Sequence, residues 1–480
     1  MLKFDLIYKN MASDIGLIGL AVMGQNLARN IASRGFKVSV YNRTTSTMED
    51  FIAHYGSENL QGQADLKEFV ASLKAPRKII VMVKAGKPVD LVIESLLPLL
   101  DKGDTIIDCG NSHFPDTIRR EKELATQGFN FFGCGVSGGE EGALHGPSLM
   151  PGGAKAIWHD LEPVLTSIAA KDFNGGPCVT YLGENGAGHY VKMVHNGIEY
   201  AVMQMMAEAY ELYSTAFGLG ASEIGDIFEK YNQGKLQSFL FEISIPILRK
   251  QDDLSETYLL DKILDKAGQK GTGRWTAIEG LNRGVDISTI IQAVHARTVS
   301  SRKDFRVQLA AKYDKPHQGK TLPPEALDDC VPAIEEALYA GMLVAYAQGF
   351  DLLRQAAEEM EWDLNYAEIA RIWEGGCIIR AQILNTLHQA FAKANNAPLW
   401  EIDDIRADLQ ASWMSLRTVN ALGGQSGVPM FCLGAALASF EGMTNARTSA
   451  NFIQGLRDRF GAHTYQRTDQ EGIFHTEWGN

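Results

Sequence analysis

Residues 15–24, Ile-Gly-Leu-Ile-Gly-Leu-Ala-Val-Met-Gly, decide the fold of the first part of the chain. Their first half is a short apolar run typical of a buried strand, and the turn from Gly19 to Gly24 leads into a helical pattern over 26–32. A second apolar run occupies 38–41. Strand, glycine turn, helix and strand in this order predict a dinucleotide-binding βαβ unit, with Ala21 in the second glycine position. The alternative is an ordinary turn between a strand and a helix.

The residues of this turn suit close contact with the phosphates of a dinucleotide. We expect Gly19 to allow the tight turn, Ala21 to keep the backbone close to the pyrophosphate, and Gly24 to let the helix pack on the strand. Val22 and Met23 complete the turn, where the free N–H groups of the helix N-terminus receive the phosphates.

The end of the second strand indicates which dinucleotide binds. Sites for NAD place an Asp or Glu there, whereas this chain has Asn42, Arg43 and Thr44. A guanidinium pairs with a 2′-phosphate and stacks on adenine, and a carboxylate would repel that phosphate. We therefore predict NADP as the cofactor. The alternative is an Arg that merely ends a strand.

Three further apolar runs, at 78–83, 105–108 and 130–133, predict a parallel sheet buried on both faces. Ligands of such sheets lie beyond the C-terminal ends of the strands. The segments expected there, 83–86, 109–112 and 135–139, are rich in small residues, and they include Val83, Lys84, Ala85, Asn111, Ser137, Gly138 and Gly139. Lys84 is equally well explained as a loop charge.

Residues 192–199, Lys-Met-Val-His-Asn-Gly-Ile-Glu, are the strongest indication of chemistry. In a helix, Lys192, Asn196 and Glu199 share one face because they are four and seven residues apart. A reaction that removes a proton at one carbon and delivers one at a neighbouring carbon can use such a face, with Lys192 as base and Glu199 as acid. The alternative is a solvated Lys–Glu face.

Composition and charge limit the class of protein. A chain of 480 residues predicts two or three domains, and a net charge of −13 argues against a general nucleic-acid or membrane-surface binder. Six cysteines without a Cys-x-x-Cys pair indicate neither a disulfide framework nor a zinc site. Because signal-peptide and membrane-span patterns are missing, we expect a cytoplasmic protein. The first dozen residues are predicted to be a loose extension.

Several motifs, in order along the chain, are similar to those of the 6-phosphogluconate dehydrogenase family, decarboxylating enzymes of the pentose phosphate pathway within the β-hydroxyacid dehydrogenase superfamily. The motifs lie at 19–24, 135–139, 192–199, 267–273, 296–297 and 457–463. The resemblance implies oxidative decarboxylation of 6-phospho-D-gluconate to D-ribulose 5-phosphate and CO2 with reduction of NADP, without a metal. It implies that Lys192 takes the proton of the C3 hydroxyl and that Glu199 protonates C1 of the resulting enediol. For this, the pKa of Lys192 must fall by several units from about 10.4, and burial and nearby cations would lower it.

The resemblance also implies the substrate contacts. Asn111, Ser137, Gly138 and Gly139 match the loops around the carboxylate and hydroxyls, and His195 and Asn196 extend them from the helix. Tyr200, Lys270, Thr272 and Arg297 match the groups around the phosphate. Arg457 and His463 match residues that the family supplies from the partner subunit of a homodimer.

The fold class predicted is an α/β Rossmann-type N-terminal domain, a large all-α second domain and a short C-terminal tail. The expected limits are 1–185 for NADP binding, 186–445 for the helical domain and 446–480 for the tail. Helical patterns run over 192–217 and 332–359, and the two halves are weakly similar, with 207–212 matching 347–352 and 223–229 matching 368–374. This agrees with the duplicated helical domain that the family implies. The apolar run 200–206 suggests a dimer interface.

Two rival functions remain to be weighed. Dehydrogenases for unphosphorylated acids such as 3-hydroxyisobutyrate share the glycine turn and the helix lysine, but they are shorter and lack the set Lys270, Arg297 and Arg457. An NADP-binding protein without turnover would be expected to lack Lys192 or Glu199, and both are present.

Overall fold

A seven-stranded sheet forms the first part of the protein in a computed structural model that describes residues 12–313, 322–323 and 325–479. Its order is β3-β2-β1-β4-β5-β6-β7, with β1 to β6 parallel and β7 antiparallel to β6. Ile80 packs into the apolar cluster on one face, and Ile79 and Val81 pack into that on the other. The strands are β1 Ile15–Ile18, β2 Val38–Tyr41, β3 Leu60–Gly62, β4 Lys78–Val81, β5 Thr105–Asp108, β6 Asn130–Ser137 and β7 Ser148–Gly152.

The sheet confirms the predicted parallel core and corrects its edges. β3 and the antiparallel β7 were not predicted, since one has three residues and the other contains Pro151 and ends in glycine. β4 ends two residues before the predicted limit. β6 runs on to Ser137, so residues 135–137 lie inside the strand and not in a loop beyond it. Pairing of Ser137 with Ser148 extends β6 in this way.

Between residues 12 and 186, seven helices connect and cover the strands. They are α1 Val22–Ser33, α2 Thr45–Tyr55, α3 Leu66–Ala71, α4 Lys87–Leu96, α5 Phe114–Ala125, α6 Gly139–His145 and α7 Lys155–Ile168.

The described residues that follow the sheet are mainly helical. Two long helices, α8 of 31 residues and α14 of 36, pack against each other at its centre. α8 begins five residues before the predicted start, and α14 begins at Glu325 and continues through Pro332. The helices are α8 Ala187–Phe217, α9 Ala221–Tyr231, α10 Phe239–Arg249, α11 Thr272–Arg283, α12 Ser288–Ser301, α13 Lys303–Ala310, α14 Glu325–Met360, α15 Tyr366–Ile372, α16 Gln382–Lys393, α17 Asp403–Ser426, α18 Phe431–Thr444 and α19 Ala450–Gly461.

The weak internal similarity in the sequence corresponds to repeated structure. Each half begins with a long helix, a short helix and a helix that follows an extended residue: α8, α9 and α10 in the first half, and α14, α15 and α16 in the second. Those extended residues, Ser238 and Ala381, form an antiparallel bridge. Its two hydrogen bonds are reciprocal, from Phe239 N to Arg380 O and from Gln382 N to Gln237 O, each 2.9 Å. The two halves therefore meet at equivalent positions.

Glycines bring α8 against the end of the sheet. A Cβ on Gly188 would lie 2.2 Å from the carbonyl oxygen of Met150 in β7, and a Cβ on Gly152 would lie 2.3 Å from the nitrogen of Gly188. Such distances are too short for any side chain, so glycine is required for the helix to start directly on the strand.

The apolar run 200–206 is largely covered within the chain, so it does not support the predicted dimer interface. Tyr200, Val202 and Met206 are buried, and Met203 is its one large hydrophobic residue that is exposed. α14 is long and apolar enough to cross a membrane by length and composition alone, but 67% of its most apolar window is buried inside the protein. That burial is typical of a core helix.

The last helix belongs to a separate small unit at the C-terminus. Asp458 is the only buried residue of α19. Its carboxylate accepts hydrogen bonds from the backbone N–H groups of Thr464 and Thr476 and from the side chains of His475 and Trp478. Burial alone would raise the pKa of Asp458, but these hydrogen bonds lower it to about 2. The predicted loose extension at the N-terminus lies mostly outside the described residues.

Candidate active site

The helix α8 carries the predicted catalytic face at the carboxyl end of β6. Lys192 is 6% exposed and Asn196 8%. A Cβ on Gly135 of β6 would lie 2.5 Å from the Cβ of Lys192, so this glycine makes room for the lysine beside the strand. Lys192 Nζ donates a hydrogen bond of 2.8 Å to Asn196 Oδ1, as the four-residue spacing predicts.

The pKa of Lys192 falls to about 8 because burial disfavours the ammonium form. The nearby ionisable groups, Glu199 and Cys377, act in the opposite direction and raise the pKa. The predicted decrease is therefore present, and burial causes it. The expectation that nearby cations would contribute is wrong.

Glu199 is shifted toward its neutral, proton-bearing form. Burial raises the pKa of its carboxyl, and Lys192 and Arg297 partly oppose that shift. One helix face thus carries a lysine that loses its proton more easily than usual and a glutamate that holds its proton more tightly.

His195 joins α8 to the end of β6. Its ring is fully buried, with Nε2 3.4 Å from Ser137 Oγ and Nδ1 3.0 Å from Asn196 Oδ1. Burial lowers the pKa of His195 well below its usual value, and Lys192 lowers it further. A neutral imidazole between Lys192 and Ser137 can orient a hydroxyl group without adding charge.

The glycine turn has the geometry expected for a dinucleotide. Gly19 has φ +101°, and a Cβ there would lie 2.5 Å from the carbonyl oxygen of Met82. A Cβ on Gly24 would lie 1.9 Å from the carbonyl oxygen of Gly19. Ala21 caps α1 without a side-chain hydrogen bond, and the first turn contains no acidic residue. These features leave the helix N-terminus suited to a phosphate.

Of the three residues that follow β2, one stabilises the glycine turn and two face solvent. Asn42 Oδ1 accepts a hydrogen bond of 3.1 Å from the backbone N–H of Leu20, so it holds the glycine turn in place. Arg43 and Thr44 are exposed, and Arg43 makes no hydrogen bond or ion pair with any described residue. An unpaired guanidinium at this edge is available to a 2′-phosphate.

The loops after β4 and β5 are held by a buried ion pair that no pattern in the sequence indicated. Asp108 Oδ2 accepts a 2.6 Å hydrogen bond from Ser112 and lies 3.5 Å from Arg120 Nη1. Arg120 Nη2 also donates to the carbonyl oxygen of Gly86 at 3.0 Å. This arrangement fixes the loops that carry Val83, Lys84, Ala85 and Asn111, of which Lys84 and Asn111 are exposed. An acidic residue ending a strand was visible in the sequence, but its partner twelve residues later was not.

The second helical half also contributes to the site, through the residues that follow α15, the counterpart of α9. The sequence did not indicate this contribution. Trp373, directly after α15, packs edge-on against His195 with ring centroids 5.4 Å apart. A Cβ on Gly138 would lie 2.6 Å from the carbonyl oxygen of Gly376. Residues 373–377 thus pack against His195 and Gly138. The Gly-Gly pair at 375–376 was the available signal.

Two of the predicted phosphate-binding elements, Arg297 and the start of α11 at Thr272, meet at Tyr200. The Arg297 guanidinium stacks on the Tyr200 ring, with Cζ 3.5 Å from the centroid. Thr272 is the first residue of α11, and a Cβ on the next residue, Gly273, would lie 2.5 Å from that ring. Lys270 is exposed two residues before the helix. The guanidinium of Arg297 and the N-terminus of α11 therefore both lie against the Tyr200 ring, a combination suited to an anion.

The structure does not join Arg457 or His463 to the rest of the site. Arg457 Nη1 donates to Gln454 Oε1 at 3.1 Å, and His463 packs edge-on against Phe460. Both side chains are exposed. Within the described residues, no group of three or more His, Cys, Asp or Glu side chains is placed to hold a metal ion.

Comparisons with known proteins cover both parts of the chain. Residues 14–183 match the model of the NAD binding domain of 6-phosphogluconate dehydrogenase, and residues 188–478 match the model of the C-terminal domain of that enzyme. The decarboxylating 6-phosphogluconate dehydrogenase of Escherichia coli is 49% identical over 97% of this chain and 98% of its own length. The NADP(+)-dependent, decarboxylating enzyme of Bacillus subtilis is 48% identical with the same coverage.

A solved structure agrees over the same length. The 6-phosphogluconate dehydrogenase of Plasmodium falciparum, described in its apo form and in complexes with NADP+ and 6-phosphogluconate, superposes with a TM-score of 0.92 at 42% identity. The match covers 97% of this chain and 100% of the Plasmodium chain.

Proposed function

The chain belongs to the 6-phosphogluconate dehydrogenase family, and from this premise we propose how its own residues perform the reaction. The enzyme converts 6-phospho-D-gluconate to D-ribulose 5-phosphate and CO2 with reduction of NADP. The observation that carries the assignment of residues is the face of α8, where burial lowers the pKa of Lys192 and raises that of Glu199.

Lys192 acts first, as the base. Its neutral Nζ takes the proton of the C3 hydroxyl while NADP, when bound, accepts the hydride from C3. The lysine therefore becomes an ammonium ion in a buried place, where the carbonyl oxygen newly formed on C3 is a strong hydrogen-bond acceptor for it. Asn196 holds Nζ in position at 2.8 Å.

Carbon dioxide is lost in the second step. The C1–C2 bond breaks, its electron pair moves toward the C3 oxygen, and that oxygen receives the proton from Lys192. The product is an enediol and CO2. The 3-keto acid accepts the electrons itself, so the chain needs to supply only a proton donor.

Glu199 acts last, as the acid. Its proton goes to the enediol carbon that lost CO2, which becomes C1 of ribulose 5-phosphate. At the same time the neutral Lys192 takes back the proton of the former C3 hydroxyl, so that this oxygen becomes the C2 carbonyl of the product. The raised pKa of Glu199 keeps that proton in place until this step. The separation of Lys192 and Glu199 along one helix face matches two neighbouring parts of one small molecule.

The remaining site residues bind and orient. Ser137, Gly138 and Gly139, with Asn111, His195 and Asn196, surround the carboxylate and hydroxyls. Tyr200, Lys270, Thr272 and Arg297 bind the phosphate. The glycine turn, Arg43, Thr44, Asn111 and the loop 83–85 hold NADP. Arg43, which has no hydrogen-bond or ion-pair partner among the described residues, supports preference for its 2′-phosphate.

We propose a cytoplasmic homodimer in which each site is completed by a second copy. The support is the tail: Arg457 and His463 are cationic or polar, exposed and without contact to the site of their own chain. Exposed apolar residues of α19, among them Phe452 and Phe460, would be covered by that second copy. The functional division then follows the limits 1–185, 186–445 and 446–480.

The experiment that tests this function follows NADPH absorbance with three acids. We expect turnover with 6-phosphogluconate, release of one CO2 per NADPH, and far slower reaction with gluconate and 3-hydroxyisobutyrate. Equal or faster turnover of an unphosphorylated acid would overturn the proposed role of Lys270, Thr272 and Arg297.

A further inference from the structure

A ring stack connects the loop after β5 to the start of α11, next to the proposed phosphate-binding loop 270–272. His113, the residue before α5, lies over Trp275 of α11, with ring centroids 4.6 Å apart and planes inclined by 25°. His113 follows Asn111 by two residues, and Trp275 follows Thr272 by three. The stack therefore joins the sheet part to the helical part. It does so through the Asn111 loop, which is assigned to NADP and substrate, and through the loop 270–272, which is assigned to the phosphate.

We propose that the His113–Trp275 stack is a positioning contact that aligns the Asn111 loop with the phosphate-binding loop and thereby raises the rate of turnover. Neither ring is assigned to touch substrate or cofactor. The inference rests on the proposed function, because it uses the assignments of Asn111 and of residues 270–272.

Both ends of the stack are fixed to the loops they would position. The backbone N–H of Trp275 donates to the carbonyl oxygen of Gly271 at 2.9 Å, and a Cβ on Gly271 would lie 3.5 Å from the Trp275 ring. On the other side, His113 directly follows Ser112, whose hydroxyl is bonded to the buried Asp108. Movement of either loop relative to the other would break the stack.

The His113 ring is also linked to the catalytic helix. It packs edge-on against Phe114 at 5.5 Å, and Phe114 packs edge-on against Tyr190 of α8 at 4.8 Å. Burial lowers the pKa of His113, although Asp116 and Glu279 oppose this shift, so the ring that stacks at neutral pH is mainly the uncharged imidazole. The chain of rings ends two residues before Lys192.

Alignment affects the rate more than binding, because a displacement of about 1 Å can reduce turnover about 100-fold while the same groups still bind. Loss of one ring leaves the loops anchored by Asp108 and by α11. We therefore expect a kcat effect of about tenfold, with small effects on KM.

The test compares kcat and KM for 6-phosphogluconate and NADP in the full-length wild type and in five variants. His113→Ala and Trp275→Leu each remove one ring, and a double variant removes both. His113→Phe keeps an aromatic ring for the stack. His159→Ala, an exposed histidine on α7, is the matched control.

We expect both single variants to lose about tenfold in kcat with KM within about threefold, and the double variant to lose no more than either, because the rings act as one unit. His113→Phe and His159→Ala should stay near the wild-type rate. The inference is overturned by unchanged kcat in His113→Ala, by losses that multiply in the double variant, or by His113→Phe being as slow as His113→Ala. Wild-type protein without turnover of 6-phosphogluconate would instead overturn the proposed function. If Trp275→Leu does not fold, the two His113 variants still decide.

Discussion

At the scale of the residue, burial converts Lys192 into a group that can act as a base. With a pKa of about 8, roughly one lysine in ten is neutral at pH 7, compared with fewer than one in a thousand for a solvated lysine. Gly135 makes this burial possible, because any side chain there would occupy the space of the Lys192 stem. The lowered pKa of Lys192 therefore depends on the close packing of α8, which carries the lysine, against β6.

Removal of the lysine should separate binding from chemistry. In Lys192→Ala we expect kcat to fall by at least about 1,000-fold, since the proton acceptor is lost, while 6-phosphogluconate still binds through the proposed phosphate contacts. Steady-state kinetics and equilibrium titration measure the two effects. Lys155→Ala, an exposed lysine at the start of α7, serves as control. Near-normal turnover in Lys192→Ala would rule out its role as base.

The preference for NADP should depend on the charge of residue 43. Arg43→Asp replaces a guanidinium by a group that repels the 2′-phosphate, so the ratio of kcat/KM for NADP to that for NAD should fall by about 100-fold or more. The measurement is the same assay with both cofactors. Lys67→Asp, at an exposed position of α3, makes the same change in charge and should leave the ratio unaltered. An unchanged ratio in Arg43→Asp would show that this residue does not bind the phosphate.

At the scale of the element, sequence patterns predicted the parallel core but not its edges. β2 and β5 were predicted to the residue because each is a short apolar run between polar segments. β7 was missed because its strand depends on pairing with β6, not on its own composition. The same pairing explains why Ser137 ends a strand. Local patterns cannot show a contact that is made only in the folded chain.

The site shows the same limit. Lys192, Asn196 and Glu199 were predicted on one face because helical spacing is local. Trp373 lies far along the chain, and Arg120 reaches Asp108 and Gly86 only through the fold. No spacing in the sequence indicates these contacts. The phosphate contacts proposed for Tyr200, Thr272 and Arg297 were predicted only through the family resemblance.

The contact between α8 and β7 should be sensitive to a single methyl group. Gly188→Ala places a Cβ against the carbonyl oxygen of Met150 at 2.2 Å, and we expect the free energy of unfolding to fall by about 2 kcal/mol. Urea unfolding measures this change. Gly424→Ala is the matched control, because that glycine also lies in a helix and a Cβ there meets nothing within 4 Å. Equal stability of both variants would contradict the close packing of α8 on the sheet.

At the scale of the whole molecule, the site lies where the sheet part, the two helical halves and the proposed second copy meet. β6 supplies Ser137, α8 supplies Lys192, and the second half supplies Trp373. The tail carries Arg457 and His463 on a unit built around Asp458. In the proposed homodimer, Lys192 and the tail residues Arg457 and His463 of one site would belong to different chains.

Subunit mixing tests this division. Lys192→Ala and Arg457→Ala should each be impaired as pure dimers, but a mixed dimer has one site with both wild-type residues. After unfolding and refolding together, we expect activity to rise to about a quarter of the wild-type value, from half the dimers with one good site each. A mixture no more active than its separate components would show that Arg457 does not act across subunits.

The pH dependence of kcat/KM for 6-phosphogluconate tests the central claim most directly. Lys192 is active when neutral, and burial lowers its pKa to about 8, so the rate should rise with pH through this value and level off above it. The slope below pH 8 should correspond to one proton. A profile that is flat from about pH 7 to 9, with no group titrating near 8, would contradict the account of Lys192 as the base.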